Sequence, residues 1–277
     1  MNTQRIPLAG VIGQPINQSK SPQLHGHWLK RYGINGHYIP MEVSSVDLPH
    51  VLNNLPKMGF RGINVTIPHK EAVLDMADVI SDRAALIGAA NTLTFQSDGK
   101  LHADNTDGYG FTANLKQEAP DWAPKSGPAL VLGAGGAARA IVAALLHEKV
   151  PEIFLSNRTR ARADALKAHF GGKITVVDWT QAASHLDEIG TLVNTTALGM
   201  SGKEELKLNL ERLTPKTLVT DIVYTPLVTP LLAAARVIGC PTVDGLGMLL
   251  HQATPGFERW FGQVPKVDAE LRRALLT

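Results

Sequence analysis

A chain of 277 residues with 44% apolar and 19% charged side chains can bury a substantial core and has room for two modest domains, so disorder is not expected. Its formal charge of +2 comes without a long polybasic tract or basic residues interleaved with aromatics, and no nucleic-acid surface is expected. The one cysteine, Cys240, excludes an intrachain disulfide and a Cys-based zinc cluster, no apolar run approaches the roughly 20 residues that cross a bilayer, and no N-terminal stretch reads as a signal peptide; a cytoplasmic protein with no membrane span is expected.

In chain order, Ile6 to Ile12, Tyr38 to Val43 and Ile63 to Ile67 read as strands, and Pro22 to Arg31 and Asp47 to Lys57 between them read as helices. A hairpin is expected over Asn91 to Asp104, its arms flanking Ser97-Asp98-Gly99, and it would give a mixed sheet an antiparallel edge. The Pro- and Gly-rich stretch Asp121 to Pro128 leads into the apolar run Ala129 to Leu132, where a second sheet begins. Strand-like runs recur at Glu152 to Ser156, Lys173 to Val177, Thr191 to Asn194 and Leu218 to Val223, most of them separated by helical material such as Ala137 to His147 and Arg160 to Ala168. Repeated βα units with right-handed crossovers make a mostly parallel, doubly wound sheet. Two last helices are expected at Leu246 to Trp260 and Val267 to Leu276.

The expected division is an α/β substrate-binding domain over residues 1–107, a Rossmann-type domain over 108–245, and helices over 246–277 that return to the first domain. The two crossings would border a cleft suited to a small polar ligand.

Gly133-Ala134-Gly135-Gly136-Ala137-Ala138 follows a strand and opens an alanine-rich helix, the context of a dinucleotide-binding loop. Gly133 would make the tight turn, Gly135 would let the backbone approach a pyrophosphate, and Ala138 would take the third small position. The helix N-terminus would offer unpaired N–H groups. The bland reading is a glycine-rich turn with no ligand.

The next strand ends Leu155-Ser156-Asn157-Arg158-Thr159, with Arg160 and Arg162 following and no carboxylate before Asp164. A ribose 2′-hydroxyl would want an acidic residue there, whereas a 2′-phosphate wants cations and hydroxyl donors, so NADP(H) is favoured over NAD. Arg158 is the leading candidate, with Asn157, Thr159 and Arg162 assisting; the competing reading makes the arginines solvated helix-start residues.

In the first domain, Asn64-Val65-Thr66-Ile67-Pro68-His69-Lys70 should put Asn64 and Thr66 on one strand face, Val65 and Ile67 on the other, and Lys70 on a rim after the Pro68 turn into the next helix. Asp107 in Asn105-Thr106-Asp107-Gly108 could cap the helix beginning there, or pair with Lys70 so that the two relay a proton to or from a substrate oxygen. Lys70 could also be a plain solvated cation. No metal is expected: His25 and His27 point to different helix faces and lack partners at ligand spacing, His69 beside a helix start is more often structural, and Cys240 has no obvious activating partner.

Taken together, the chain resembles the shikimate dehydrogenase family almost end to end. The resemblance rests on Gly13-Gln14-Pro15 with Ser19-Lys20-Ser21-Pro22, Gly62 to Lys70, Gly88-Ala89-Ala90-Asn91-Thr92, Asn105-Thr106-Asp107-Gly108, the Gly133 loop and Asn157-Arg158-Thr159. It continues through Asn194-Thr195-Thr196, Asp221 to Pro226, and Asp244-Gly245-Leu246-Gly247-Met248 with Gln252.

The resemblance implies an enzyme of aromatic amino-acid biosynthesis that interconverts 3-dehydroshikimate and shikimate with NADPH. Ser19 and Ser21 would bind the substrate carboxylate, and Asn64, Thr66, Asn91, Tyr224 and Gln252 would contact the carboxylate or ring hydroxyls. Lys70 and Asp107 would be the catalytic pair. Gly133, Ala134, Gly135, Gly136, Ala137 and Thr195 would serve the cofactor, and Gly245 and Met248 would lie by its nicotinamide. Two positions depart from the family's habit, Ala90 where Val is common and Ala197 where a serine is common, the second affecting cofactor-side contacts. Competing readings are a quinate/shikimate dehydrogenase using NAD, a methylene-tetrahydrofolate dehydrogenase, and a noncatalytic NADP-dependent sensor; a monomer or homodimer is expected.

Overall fold

The computed structural model describes residues 6–276. Its elements in chain order are β1 (Leu8–Gly13), α1 (Ser21–Arg31), β2 (His37–Glu42), α2 (Leu48–Asn54), β3 (Phe60–Val65), β4 (Val79–Ile80), α3 (Asp82–Ile87), β5 (Thr92–Phe95) and β6 (Leu101–Asp104). Then come α4 (Asp107–Glu118), β7 (Ala129–Leu132), α5 (Gly136–His147), β8 (Ile153–Ser156), α6 (Arg160–Phe170), β9 (Ile174–Val177), β10 (Thr191–Asn194), β11 (Leu218–Asp221), α7 (Pro230–Ile238) and β12 (Thr242–Val243). The chain closes with α8 (Leu246–Gln252), α9 (Thr254–Phe261) and α10 (Ala269–Leu276). Two compact units result, one from the chain up to Asp107 and again from Leu249, the other from Gly108–Met248.

The first unit is built on a mixed sheet in the order β2-β1-β3-β5-β6-β4. Only β5 runs antiparallel to its neighbours; β4 pairs parallel with β6 and forms the outer strand, so the hairpin lies inside the sheet rather than at its edge. Strand β3 begins at Phe60 and ends at Val65, earlier than its apolar run suggests, and Ile67 lies outside the sheet with 75% of its surface exposed. The interruption by Arg61 and Gly62 hides the true start. Gly62 is required there because a Cβ would sit 1.9 Å from Trp260 Nε1 and 2.3 Å from the Leu93 carbonyl oxygen.

One sheet face carries the aliphatic core of Ile63, Val65, Leu93 and Ala103 with Leu48 and Leu52 of α2. Aromatic rings pack elsewhere in this unit: Trp28 of α1, Tyr38 of β2, and Phe257 and Trp260 of α9, with His25 stacked on Tyr38 at 3.8 Å. The returning helices thus help complete the first unit, α9 against β3 and β5 and α10 against α1. Burial holds the His25 imidazole down at about 3, the nearby Asn64 side chain offsetting only part of the effect.

A single helix over Leu246 to Trp260 is not what forms: α8 and α9 are separated at Ala253. Pro255 has no N–H to return to the His251 carbonyl, and the Thr254 hydroxyl donates to that oxygen instead, at 2.9 Å. Asp104, at the end of β6, ties this region together by receiving Arg83 of α3, Ser81 and Arg259 of α9. Burial pushes its carboxyl up, but those hydrogen bonds outweigh it and hold the group well below the usual carboxylate range.

The second unit is a parallel sheet in the order β12-β11-β10-β7-β8-β9, which, counted from β7, is the doubly wound order 3-2-1-4-5-6 of Rossmann-type domains. Alternation explains the fully apolar β7: Ala129 and Val131 enter one core, Leu130 and Leu132 the other. The order reverses between β7 and β10, and the crevice outside the carboxyl ends at such a point is where doubly wound folds bind ligands.

Candidate active site

In the first unit, polar side chains converge where β3, β5 and β6 end or begin. Lys70 stands on the turn after β3, not at a helix start, and the next regular element is a short 3₁₀ turn at Ala72–Leu74. Its Nζ donates to Asp107 Oδ2 at 2.5 Å, with the lysine side chain 22% and the aspartate 8% exposed. The second carboxylate oxygen receives Asn91 Nδ2 at 2.7 Å, and the same amide group donates to Gln252 Oε1 at 3.2 Å. Asp107 therefore does more than begin α4: both of its oxygens hold side chains from other segments, while its own N–H is received by Asn105 Oδ1.

Asn91 is the centre of this set. Its Oδ1 accepts the Thr106 N–H at 2.8 Å and both the Thr92 and Thr106 hydroxyls. Asn64 joins from β3, donating to the Asn91 carbonyl and Thr92 Oγ1 and accepting the Tyr38 phenol at 2.7 Å. Burial raises the Tyr38 phenol, an effect that the neighbouring Ser21 hydroxyl partly opposes. Thus Lys70, Asp107, Asn91, Gln252 and Asn64 are joined by direct hydrogen bonds. Ser19 and Ser21 lie before and at the start of α1, the Ser21 N–H donating to Ser19 Oγ, and Thr66 is half-buried just past β3.

Tyr38, Thr92, Asn105 and Thr106 belong to this network although sequence reasoning gave them no role in it. For Tyr38 the available signal was a buried-strand phenol, which needs a partner for its hydroxyl. His69 is fully buried, with Nε2 2.7 Å from the Val43 carbonyl. Cys240 Sγ donates to the Thr214 carbonyl, and burial pushes its thiol up.

In the second unit the glycine loop leaves β7 and enters α5. Gly133 has φ +110°, and a Cβ there would lie 2.5 Å from Thr195 Oγ1, so turn and packing both demand glycine. The Thr195 hydroxyl donates to the Leu132 carbonyl at 2.7 Å, and Asn157 Oδ1 receives the Ala134 N–H at 3.2 Å, linking the loop to the ends of β8 and β10. Gly135 and Gly136 face open space, and Gly135 caps α5 without a side-chain hydrogen bond. An uncapped helix start beneath an open glycine surface suits a pyrophosphate; Ala137 opens the same helix turn.

Past β8, Arg158 is 66% exposed and lies 3.8 Å from Glu204, while Arg160 is bonded to Asp178 at 2.5 Å. Thr159 caps α6 with no side-chain bond, and Arg162 is exposed in its first turn. Exposed cations with no bound carboxylate on the strand itself fit a 2′-phosphate. The absence of a carboxylate before Asp164 is, however, a property of the linear sequence alone, since the fold brings Glu204 beside Arg158.

Gly245 is packed tightly, a Cβ there meeting the Ile222 carbonyl oxygen at 2.2 Å, and Met248 is half-buried against the core. Tyr224 follows β11, its phenol raised by burial. Among the described residues no cluster of His, Cys, Asp or Glu could hold a metal, and no helix is long and apolar enough to cross a membrane.

Family models match the chain along most of its length: a shikimate dehydrogenase substrate-binding domain over residues 11–93, a shikimate/quinate 5-dehydrogenase domain over 116–246, and a shikimate 5′-dehydrogenase C-terminal domain over 245–275. The chain is 65% identical over 272 residues to the shikimate dehydrogenase (NADP(+)) of Cereibacter sphaeroides, covering 98% of each. Among solved structures it is similar to the Thermus thermophilus shikimate 5-dehydrogenase in complex with NADP(H) and shikimate, with 35% identity, TM-score 0.87, and 98% and 99% of the two chains covered. It is also similar to the Corynebacterium glutamicum quinate dehydrogenase in complex with NAD, at 31% identity and TM-score 0.91, with 98% and 99% covered.

Proposed function

The chain belongs to the shikimate dehydrogenase family, and we propose from that premise that Lys70 and Asp107 form the acid–base pair with which it reversibly reduces 3-dehydroshikimate to shikimate. It is an NADP-dependent oxidoreductase. NADPH, when bound, supplies the hydride for the C3 carbonyl. The Lys70 ammonium donates a proton to the forming C3 oxygen, and Asp107, held by Asn91, keeps that ammonium aimed. The observation that carries this assignment is the buried hydrogen-bonded set of Lys70, Asp107, Asn91 and Gln252, which leaves the lysine as its most exposed member.

Ser19 and Ser21 receive the substrate carboxylate, and Asn64, Thr66, Asn91, Tyr224 and Gln252 contact carboxylate or ring hydroxyls. The Gly133–Ala137 loop and Thr195 serve the pyrophosphate side of NADP(H), Arg158 with Asn157, Thr159 and Arg162 the 2′-phosphate, and Gly245 and Met248 the nicotinamide. We place the enzyme in the cytoplasm as a monomer or homodimer.

The test is steady-state kinetics with shikimate and quinate, each with NADP and NAD. Shikimate with NADP should give the highest kcat/KM, because a site that pairs substrate hydroxyls discriminates strongly by them. A clear preference for quinate with NAD overturns the proposal and selects the quinate-type reading, for which the quinate dehydrogenase likeness is the specific support.

A further inference from the structure

We propose that Glu204 sets how strongly this chain prefers a 2′-phosphorylated nucleotide, by holding a carboxylate against Arg158; this rests on Arg158 being the 2′-phosphate ligand. The arginines past β8 are not equivalent. Arg160 is bonded to Asp178 at 2.5 Å and stands 3.7 Å from Asp164, so its charge is already answered. Among the described residues Arg158 has a looser partner, Glu204 Oε2 at 3.8 Å.

That carboxylate is placed by the fold, not by chance of a free loop. Leu206 is buried in the core, the Glu204 carbonyl accepts the Gly199 N–H at 2.7 Å, and Lys203 N–H returns to the Met200 carbonyl at 2.9 Å. The backbone of Glu204 is thereby pinned on both sides while its side chain stays 84% exposed. The neighbouring Glu205 is exposed as well and makes no ion pair among the described residues.

Two consequences act in the same direction. A phosphate arriving at Arg158 must share or displace an anion already within ion-pair distance, which weakens NADP(H). A ribose bearing a plain 2′-hydroxyl meets an acceptor of the kind that NAD-specific domains carry at the end of their second strand, here supplied from another loop. Glu204 therefore narrows the margin between the two nucleotides from both ends. An exposed charge pair contributes roughly two- to fivefold in affinity, and salt diminishes it.

The experiment is calorimetric binding of 2′,5′-ADP and of 5′-ADP to the full chain, at low salt and at high salt, for wild type and the E204Q, E205Q and R158A variants. E204Q should tighten 2′,5′-ADP by roughly two- to fivefold at low salt, with 5′-ADP unchanged or weaker, and the gain should shrink at high salt. E205Q should change neither. If E204Q leaves the ratio of the two affinities as in wild type, or E205Q shifts it equally, the proposal is overturned. If R158A keeps the wild-type preference for 2′,5′-ADP, it is the Arg158 assignment that fails.

Discussion

Replacing Lys70 by methionine keeps most of the stem and removes the ammonium that donates to Asp107 Oδ2 at 2.5 Å. A general acid of this kind contributes about 10²- to 10⁴-fold, equivalent to about 3–5 kcal/mol of transition-state stabilisation. The cost to folding is smaller. Asp107 keeps the Asn91 amide at 2.7 Å, and the lysine side chain is 22% exposed, so water can replace the ammonium. About 1–3 kcal/mol is therefore expected rather than the about 3–5 kcal/mol lost when a sealed ion pair is broken. In a chain of this size each kcal/mol moves Tm by about 2–4 °C. The assays are kcat and KM with shikimate and NADP, the NADP dissociation constant, and urea denaturation. kcat should fall at least about a hundredfold with NADP affinity changed by less than about twofold. A kcat within about tenfold of wild type, or NADP binding lost in proportion to kcat, refutes the assignment.

Two further outcomes concern the scaffold. Because burial holds His25 at about 3 against 6.5 when unfolded, the unfolded chain takes up a proton between those values and the native one does not; stability is present above pH 6.5 and declines as pH falls through that window. Urea unfolding at pH 7.5 and 5 should show a His25-dependent loss of about 2 kcal/mol that His25→Phe lacks, and identical losses in the two proteins would refute it. Gly62→Ala places a methyl 1.9 Å from Trp260 Nε1 and 2.3 Å from the Leu93 oxygen, two atoms already hydrogen-bonded to each other at 3.1 Å. A loss of about 3 kcal/mol is expected by denaturation, and a loss under about 1 kcal/mol would mean that the packing there is slack.

What could be read in advance was whatever local pattern determines. The β7 run and the glycines after it announce a strand, a tight turn and a helix start, because apolar alternation and φ requirements act over a few residues. The pairing of Lys70 with Asp107 was legible for a different reason, as complementary chemistry just past two strand-like runs. Interruptions and long-range partners were not legible in the same way. Arg61-Gly62 disguises the start of β3, since the glycine answers to a tryptophan from α9, far along the chain. The break before α9 has a local cause in Pro255, which lies inside an apolar pattern that runs on through it. Asp104 gave no hint of binding both Arg83 and Arg259, and Glu204 beside Arg158 depends on how a loop after β10 is anchored.

The hydrogen bonds around Asn91 also have a direction. Tyr38 donates to Asn64, Asn64 to Thr92, Thr92 to Asn91, and Asn91 to Asp107, so every arrow in the series points toward the same carboxylate. Outline and polarity are then separate requirements: an aspartate at position 91 would match the asparagine in shape, yet it would turn an acceptor toward an acceptor and set two carboxylates face to face. The codons of asparagine and aspartate differ by one base, which makes this one of the nearest genetic exits from the residue and, for this network, a closed one.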